Sequence, residues 1–155
     1  MNDAELYALA TQLGEKAKVS HVSLATAESC TAGGISYTIT QVAGSSQWFD
    51  RGWVTYTNKS KQELLGVKAE TLAKFGAVSK ECASEMVRGA LQRSPADWAV
   101  AVTGIAGPGG AVPGKPVGTV YLAWCSRNTC PEVVCEVFPG DRQEVRRATI
   151  QRALQ

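Results

Sequence analysis

Leu6, Leu9, Ala10 and Leu13 recur three and four positions apart, which gathers them on one face of an N-terminal helix that Asp3 can cap. The period then shortens. His21 to Thr26 reads as a strand with Val22 and Leu24 on one side. A polar run, Thr26-Ala27-Glu28-Ser29-Cys30-Thr31, follows it, and then a helix to about Val42 that ends at Gly44. Gly52 to Thr57 reads as a second strand, with Asn58 as the cap of a helix carrying Lys61, Leu64 and Leu65 and Gly66 just past its end. A short helical segment near Ala69 to Phe75 precedes a helix capped by Ser79, in which Cys82, Ala83, Met86, Val87, Ala90 and Leu91 form one apolar stripe. Trp98 to Val102 is a short apolar run suited to a buried strand. Strands at about Val117 to Cys125 and Val133 to Phe138 come next, and a last helix starts at about Arg142. Helical and strand patterns alternate with short connections and no internal repeat, so the fold class expected is α/β.

Composition narrows the picture. The chain has 155 residues, 45% hydrophobic and 19% charged, with a formal net charge of +2, the profile of one globular unit spanning residues 1–155. No apolar run approaches the roughly 18 residues that cross a bilayer, and the first helix carries alternating charges where a signal peptide would be apolar. A cytoplasmic protein without a membrane partner is expected. Five cysteines, an odd number with no C-x-x-C pair, read as reduced thiols; neither a metal site nor a cofactor is expected.

The candidate chemistry starts from the scarcity of histidine. His21 is the only one in the chain, so a serine nucleophile would more readily be activated by lysine. Ser45, Ser46, Tyr56 and Lys61 all fall around one short strand. Three strand ends present small or hydroxyl residues: Ser29 with Thr31, Thr57 with Asn58, and Thr103 with Gly104. Ligands gather at such ends in open α/β sheets. Ser29, at a helix start, is placed either to cap the helix or to meet an anion there. The stretch from Gly109 to Lys115 resembles the start of a P-loop, but Pro116 stands where a magnesium-binding Ser or Thr is required, and a strand follows instead of a helix. Gly107-Pro108-Gly109-Gly110 lacks the third glycine of a dinucleotide fingerprint. Arg142 and Arg146 lie one turn apart on the final helix, where a guanidinium suits a phosphate or carboxylate. No aromatic residues interleave with these arginines, so no nucleic-acid partner is expected.

Read in order, Thr26-Ala27-Glu28-Ser29-Cys30-Thr31-Ala32-Gly33, Gly44-Ser45-Ser46, Val54-Thr55-Tyr56-Thr57-Asn58 with Lys61, Leu64-Leu65-Gly66-Val67, Gly76-Ala77-Val78-Ser79, Thr103-Gly104-Ile105-Ala106-Gly107-Pro108, Lys115-Pro116-Val117-Gly118-Thr119 and Gly140-Asp141-Arg142 resemble the CinA C-terminal domain family. The resemblance runs nearly end to end. It implies a three-layer sandwich with a mixed sheet flanked by helices, usually a homodimer. It also implies hydrolysis of a small-molecule nucleotide, nicotinamide mononucleotide, to nicotinic acid mononucleotide and ammonia without a cofactor. Position by position it assigns Ser46 as nucleophile, Lys61 as general base and Tyr56 as its companion, with Ser29, Thr103 and Arg142 as further polar residues of the site; Thr31, Ser45 and Gly104, their neighbours in the chain, are expected beside the substrate with them. The chemistry is consistent with it, because burial and a helix N-terminus both disfavour a charged lysine and so favour its use as a base. Two alternatives carry different expectations: a silent or substrate-shifted paralogue that binds a nucleotide or regulates a partner, and a nucleic-acid accessory protein resting on the basic last helix. Thr31 to Gly34 and Gly110 to Pro113 flank the site and depart from the family pattern, which leaves the substrate open.

Overall fold

Alanine occupies alternate positions of two apolar strands, Ala25 and Ala27 in one and Ala99 and Ala101 in the other, and this small-residue row decides how closely a helix can approach the sheet. A computed structural model describes residues 2–155. Its strands are β1 (Leu24–Glu28), β2 (Phe49–Val54), β3 (Trp98–Gly104), β4 (Thr119–Ser126) and β5 (Glu132–Val137), and they form one sheet in the order β2-β1-β3-β4-β5. β2, β1 and β3 are parallel, whereas β4 pairs antiparallel with both β3 and β5. In register, Ala25 faces Ala99, Ala27 faces Ala101, and Ala101 faces Ala123.

The helices are α1 (Asp3–Ser20), α2 (Gly34–Thr40), α3 (Asn58–Leu65), α4 (Ala69–Phe75), α5 (Lys80–Gln92) and α6 (Arg142–Leu154). The alanine row packs under the stripe of α5 that the sequence predicts: Cys82, Ala83, Met86, Val87, Ala90 and Leu91 are buried there with Leu65 of α3. On the opposite face, Leu6 and Ala10 of α1, Ile35 and Ile39 of α2, and Val145 and Ile150 of α6 enclose Val102, Val120 and Leu122. The expected sandwich of helices on both faces of a mixed sheet is the fold found. Among the described residues no helix is long and apolar enough to cross a membrane.

Several boundaries differ from expectation, each for a local reason. β1 begins at Leu24 instead of His21, because His21 takes the left-handed conformation (φ 54°) and closes α1, its N–H donating to the carbonyls of Ala17 and Lys18. Asn2, not Asp3, caps α1 by accepting the N–H of Glu5. β2 covers 49–54 instead of 52–57, since Thr57 is already the cap of α3, its hydroxyl oxygen accepting the Ser60 N–H in the role expected of Asn58. α2 stops at Thr40 rather than Val42.

Candidate active site

Three parallel strands end at one edge of the sheet, so whatever follows them in sequence is brought together there. The chain crosses from β1 to β2 through α2 and returns from β2 to β3 through α3, α4 and α5, so the strand order reverses around β1, where open α/β sheets place their ligands. Ser29 and Cys30 after β1, Tyr56, Asn58 and Lys61 after β2, Thr103 and Gly104 ending β3, and Arg142 opening α6 line a cavity of about 140 Å³, with Ala77, Val78 and Ala106 completing the wall. Of the residues expected around the site, Ser29, Tyr56, Lys61, Thr103, Gly104 and Arg142 are all in this cavity.

Lys61 is its centre. The side chain is 1% exposed, and Nζ lies 2.9 Å from Ser29 Oγ, 2.9 Å from the Thr55 carbonyl and 3.0 Å from the Tyr56 carbonyl. Carbonyl oxygens only accept, so a neutral amine gives its two hydrogens to Thr55 and Tyr56 and turns its lone pair toward the Ser29 hydroxyl. Burial lowers the pKa of Lys61 below its ordinary 10.5, the direction that favours this neutral form. α3 holds the lysine from behind. Its last residue, Leu65, rests its carbonyl against Gly89 of α5 so closely that a Cβ on Gly89 would collide with it.

Ser29 sits in the tight turn between β1 and α2. Its N–H donates to Val102 of β3, its carbonyl accepts from Ala32, and Ala32 and Gly33 both take positive φ (50° and 92°) to bring the chain back into α2. Arg142 spans the mouth, donating through Nη1 to the Gly107 carbonyl and through Nη2 to the Tyr56 hydroxyl, both at 2.7 Å. Tyr56 therefore meets Lys61 through its main-chain carbonyl, while its phenol meets Arg142. The Thr103 hydroxyl donates to the Ala77 carbonyl at 2.9 Å, fixing the loop before α5 against β3. The thiols nearby are poor nucleophiles: burial pushes Cys30 up to about 12 and Cys82 up to about 11.

The remaining expected residues lie elsewhere. Ser45 is buried and Ser46 exposed in a single 3-10 turn (Ser45–Gln47) before β2, at the amino end of the strand whose carboxyl end leads to Lys61. The six residues of β2 separate them by roughly 17–20 Å of strand. Within the chain, then, Ser46 does not meet Lys61, and the hydroxyl that does is Ser29. Thr31 donates its hydroxyl to Glu28 at 2.6 Å and does not line the cavity. His21 lies at the amino edge with Ser46. A larger cavity of about 250 Å³ also opens at that edge, lined mainly by apolar side chains including Leu24, Trp98, Trp124 and Leu154. Its size is outweighed by its chemistry, because the amine and the hydroxyls that face one another are all in the smaller cleft. Among the described residues no three His, Cys, Asp or Glu side chains come together as a metal site. The sequence reading missed the Thr55 carbonyl and Glu28; only the second had a signal, as the one charge in the strand Leu24-Ala25-Thr26-Ala27-Glu28.

Residues 6–155 match the CinA C-terminal domain family. The chain is 47% identical over 155 residues to the nicotinamide-nucleotide amidohydrolase PncC of Escherichia coli K12, covering all of this chain and 94% of that protein. It is 51% identical over 148 residues to the PncC of Pseudomonas putida, covering 94% of this chain and 91% of that one. The crystal structure of the competence/damage inducible protein CihA from Agrobacterium tumefaciens superposes with a TM-score of 0.93 at 46% identity, covering 99% of this chain and 93% of that chain.

Proposed function

This chain belongs to the CinA C-terminal domain family, and from that membership we propose that it is an amidohydrolase that converts nicotinamide mononucleotide to nicotinic acid mononucleotide and ammonia, with Ser29 as nucleophile and Lys61 as base. Relatives covered over nine-tenths of their length carry the name nicotinamide-nucleotide amidohydrolase, which supports the substrate. The observation that supports the dyad is the 2.9 Å approach of Ser29 Oγ to an amine whose other neighbours are carbonyls.

The Ser29 proton passes to Lys61 as Oγ bonds to the carboxamide carbon. The C–N bond then breaks, and the ammonium of Lys61 returns that proton to the departing nitrogen, releasing ammonia. Water attacks the acyl-serine with Lys61 again taking the proton, and as the ester bond breaks Lys61 returns that proton to Ser29 Oγ; the acid product ionises to the carboxylate, giving its proton to the ammonia or to solvent. The sequence consumes one water per amide and needs no metal or organic cofactor. Arg142 at the mouth, held by Gly107 and Tyr56, supplies the positive charge that a nucleotide phosphate favours.

A second reading keeps Ser46 as the nucleophile, supplied by a second copy. β2 is an edge strand with exposed residues at Asp50, Arg51, Gly52 and Val54, open to pairing with another strand. A two-fold antiparallel pairing of β2 with its own copy sets the Ser46 end of one strand beside the Lys61 end of the other, which is also the form a homodimer would take. Ammonia release from nicotinamide mononucleotide tests both. Ser29→Ala and Lys61→Ala are expected to abolish turnover while Ser46→Ala retains it. If instead Ser46→Ala is the inactive serine variant, and mixing it with Lys61→Ala restores activity, the second reading stands. A wild type that releases no ammonia yet binds the nucleotide would make the chain a binding module.

A further inference from the structure

Glu28 takes no part in the proton transfers above, yet it ends β1 one residue before Ser29 and is 0% exposed. Its carboxylate is fully engaged. Oε1 accepts the Thr31 hydroxyl at 2.6 Å and the Ile35 N–H at 2.8 Å; Oε2 accepts the Ser36 N–H at 2.9 Å and the Ser36 hydroxyl at 2.7 Å. Thr26 Oγ1 lies 2.6 Å from Ser36 Oγ and extends the network along β1. The backbone of β2 packs so closely on this hydroxyl pair that a Cβ at Gly52 would strike both, which leaves the network no slack. Through its own carbonyl, Glu28 also accepts the N–H of Thr55 at 2.8 Å, and the Thr55 carbonyl is one of the two that orient Lys61. One residue thus grips both arms of the dyad: by its side chain the turn that carries Ser29, and by its main chain the segment just past β2 that aims the amine.

We infer that Glu28 is a positioning residue, whose carboxylate clamps the Ser29–Thr31 turn to the start of α2 and so directs Ser29 Oγ at the lone pair of Lys61. This rests on Ser29 being the nucleophile. Each carboxylate oxygen faces a main-chain N–H, which can only donate. In Glu28→Gln the side-chain NH2 therefore confronts one of these donors whichever way the amide turns, although size and shape are kept. A misplacement of the hydroxyl by a fraction of an ångström lowers the rate without altering the cavity that binds the substrate.

The test uses a phosphonofluoridate probe on the full chain, with Ser29 modification read by mass spectrometry; Oγ bonds to phosphorus, fluoride leaves, and Lys61 takes the proton. Glu28→Gln is expected to slow labelling about tenfold or more at every pH, with the midpoint of the pH dependence unmoved. Glu28→Asp, which keeps both oxygens, should recover part of the rate. If Glu28 served only to hold the fold, its loss would hydrate Lys61 and move the midpoint up toward 10.5; that result overturns the inference, as does labelling at the wild-type rate. Should Glu28→Gln fail to fold, the pair Thr31→Val and Ser36→Ala, which leaves the carboxylate its two main-chain donors, must slow labelling, and a wild-type rate again overturns it. A wild type unlabelled at Ser29 overturns the nucleophile assignment itself, an outcome distinct from the others.

Discussion

Lys61 Nζ and Ser29 Oγ are 2.9 Å apart although 32 residues separate them in the chain. With its other two contacts made to carbonyls, the amine can accept a proton from Ser29 alone. The rate should therefore follow the neutral fraction of Lys61. Because burial lowers its pKa, kcat/KM is expected to rise with pH through a midpoint below the ordinary 10.5, and Lys61→Arg, whose guanidinium stays protonated, to be inactive across the whole profile. A pH-rate profile of the wild type with a midpoint at or above 10.5 would contradict the role of burial.

The sequence places Lys61, Tyr56, Thr103 and Arg142 at the site because each lies at or just past the end of a strand or at a helix start, and parallel strands share one carboxyl edge. The same logic, followed further, separates Ser46 from Lys61. They are close in sequence but lie on either side of β2, and a strand carries its two flanks to opposite edges of the sheet. Ser29 is distant in sequence yet follows a parallel neighbour and so arrives at the same edge. Glu28 was hidden for another reason: a carboxylate reads as solvent-facing until its donors are known, and these come from the next helix, beyond the reach of local pattern. The boundary of β1 was likewise masked, since Val22 continues the apolar alternation while His21 closes α1.

Gly89 sets the distance between α3 and α5, and hence the height of Lys61 in the cleft. A methyl group there meets the main-chain carbonyl of Leu65, which cannot rotate aside as a side chain would. Gly89→Ala is expected to destabilise the fold by about 1–3 kcal/mol, despite the better helix propensity of alanine, and to lower kcat more than it raises KM. Urea denaturation and steady-state kinetics on the same sample check this. A gain in stability of the size that propensity alone predicts would show that the contact is relieved without strain.

The Tyr56 hydroxyl and the Arg142 guanidinium form one unit at the mouth, joined at 2.7 Å. Removing either member releases the other, so Tyr56→Phe and Arg142→Ala should not add. The double variant is expected to lose little more in kcat/KM than the worse single variant, a coupling of about 0.5–3 kcal/mol in a double-mutant cycle. Strict additivity would mean that each acts on the substrate independently.

A buried amine suited to catalysis is poorly suited to stability, and the two can be separated at Lys61. In the unfolded chain the lysine is hydrated and titrates near 10.5, whereas in the folded chain burial lowers its pKa. Between those two values the unfolded state holds one proton more than the folded state, so wild-type stability falls as pH falls through that window and then levels off below it. Methionine has a comparable length, no charge and no proton to bind, and it removes both the desolvation cost and its pH dependence. Lys61→Met is therefore expected to be inactive, and its stability relative to wild type to increase as pH drops from above 10.5 toward neutrality. The opposing effect is the loss of the amine's donors to Thr55 and Tyr56, which is the same at every pH and shifts the comparison by a constant. Denaturation midpoints of the two proteins, measured in parallel over this range, isolate the proton-linked part. A difference that does not vary with pH would show that Lys61 keeps an ordinary pKa in the folded state, and would remove the basis for its action as a neutral base.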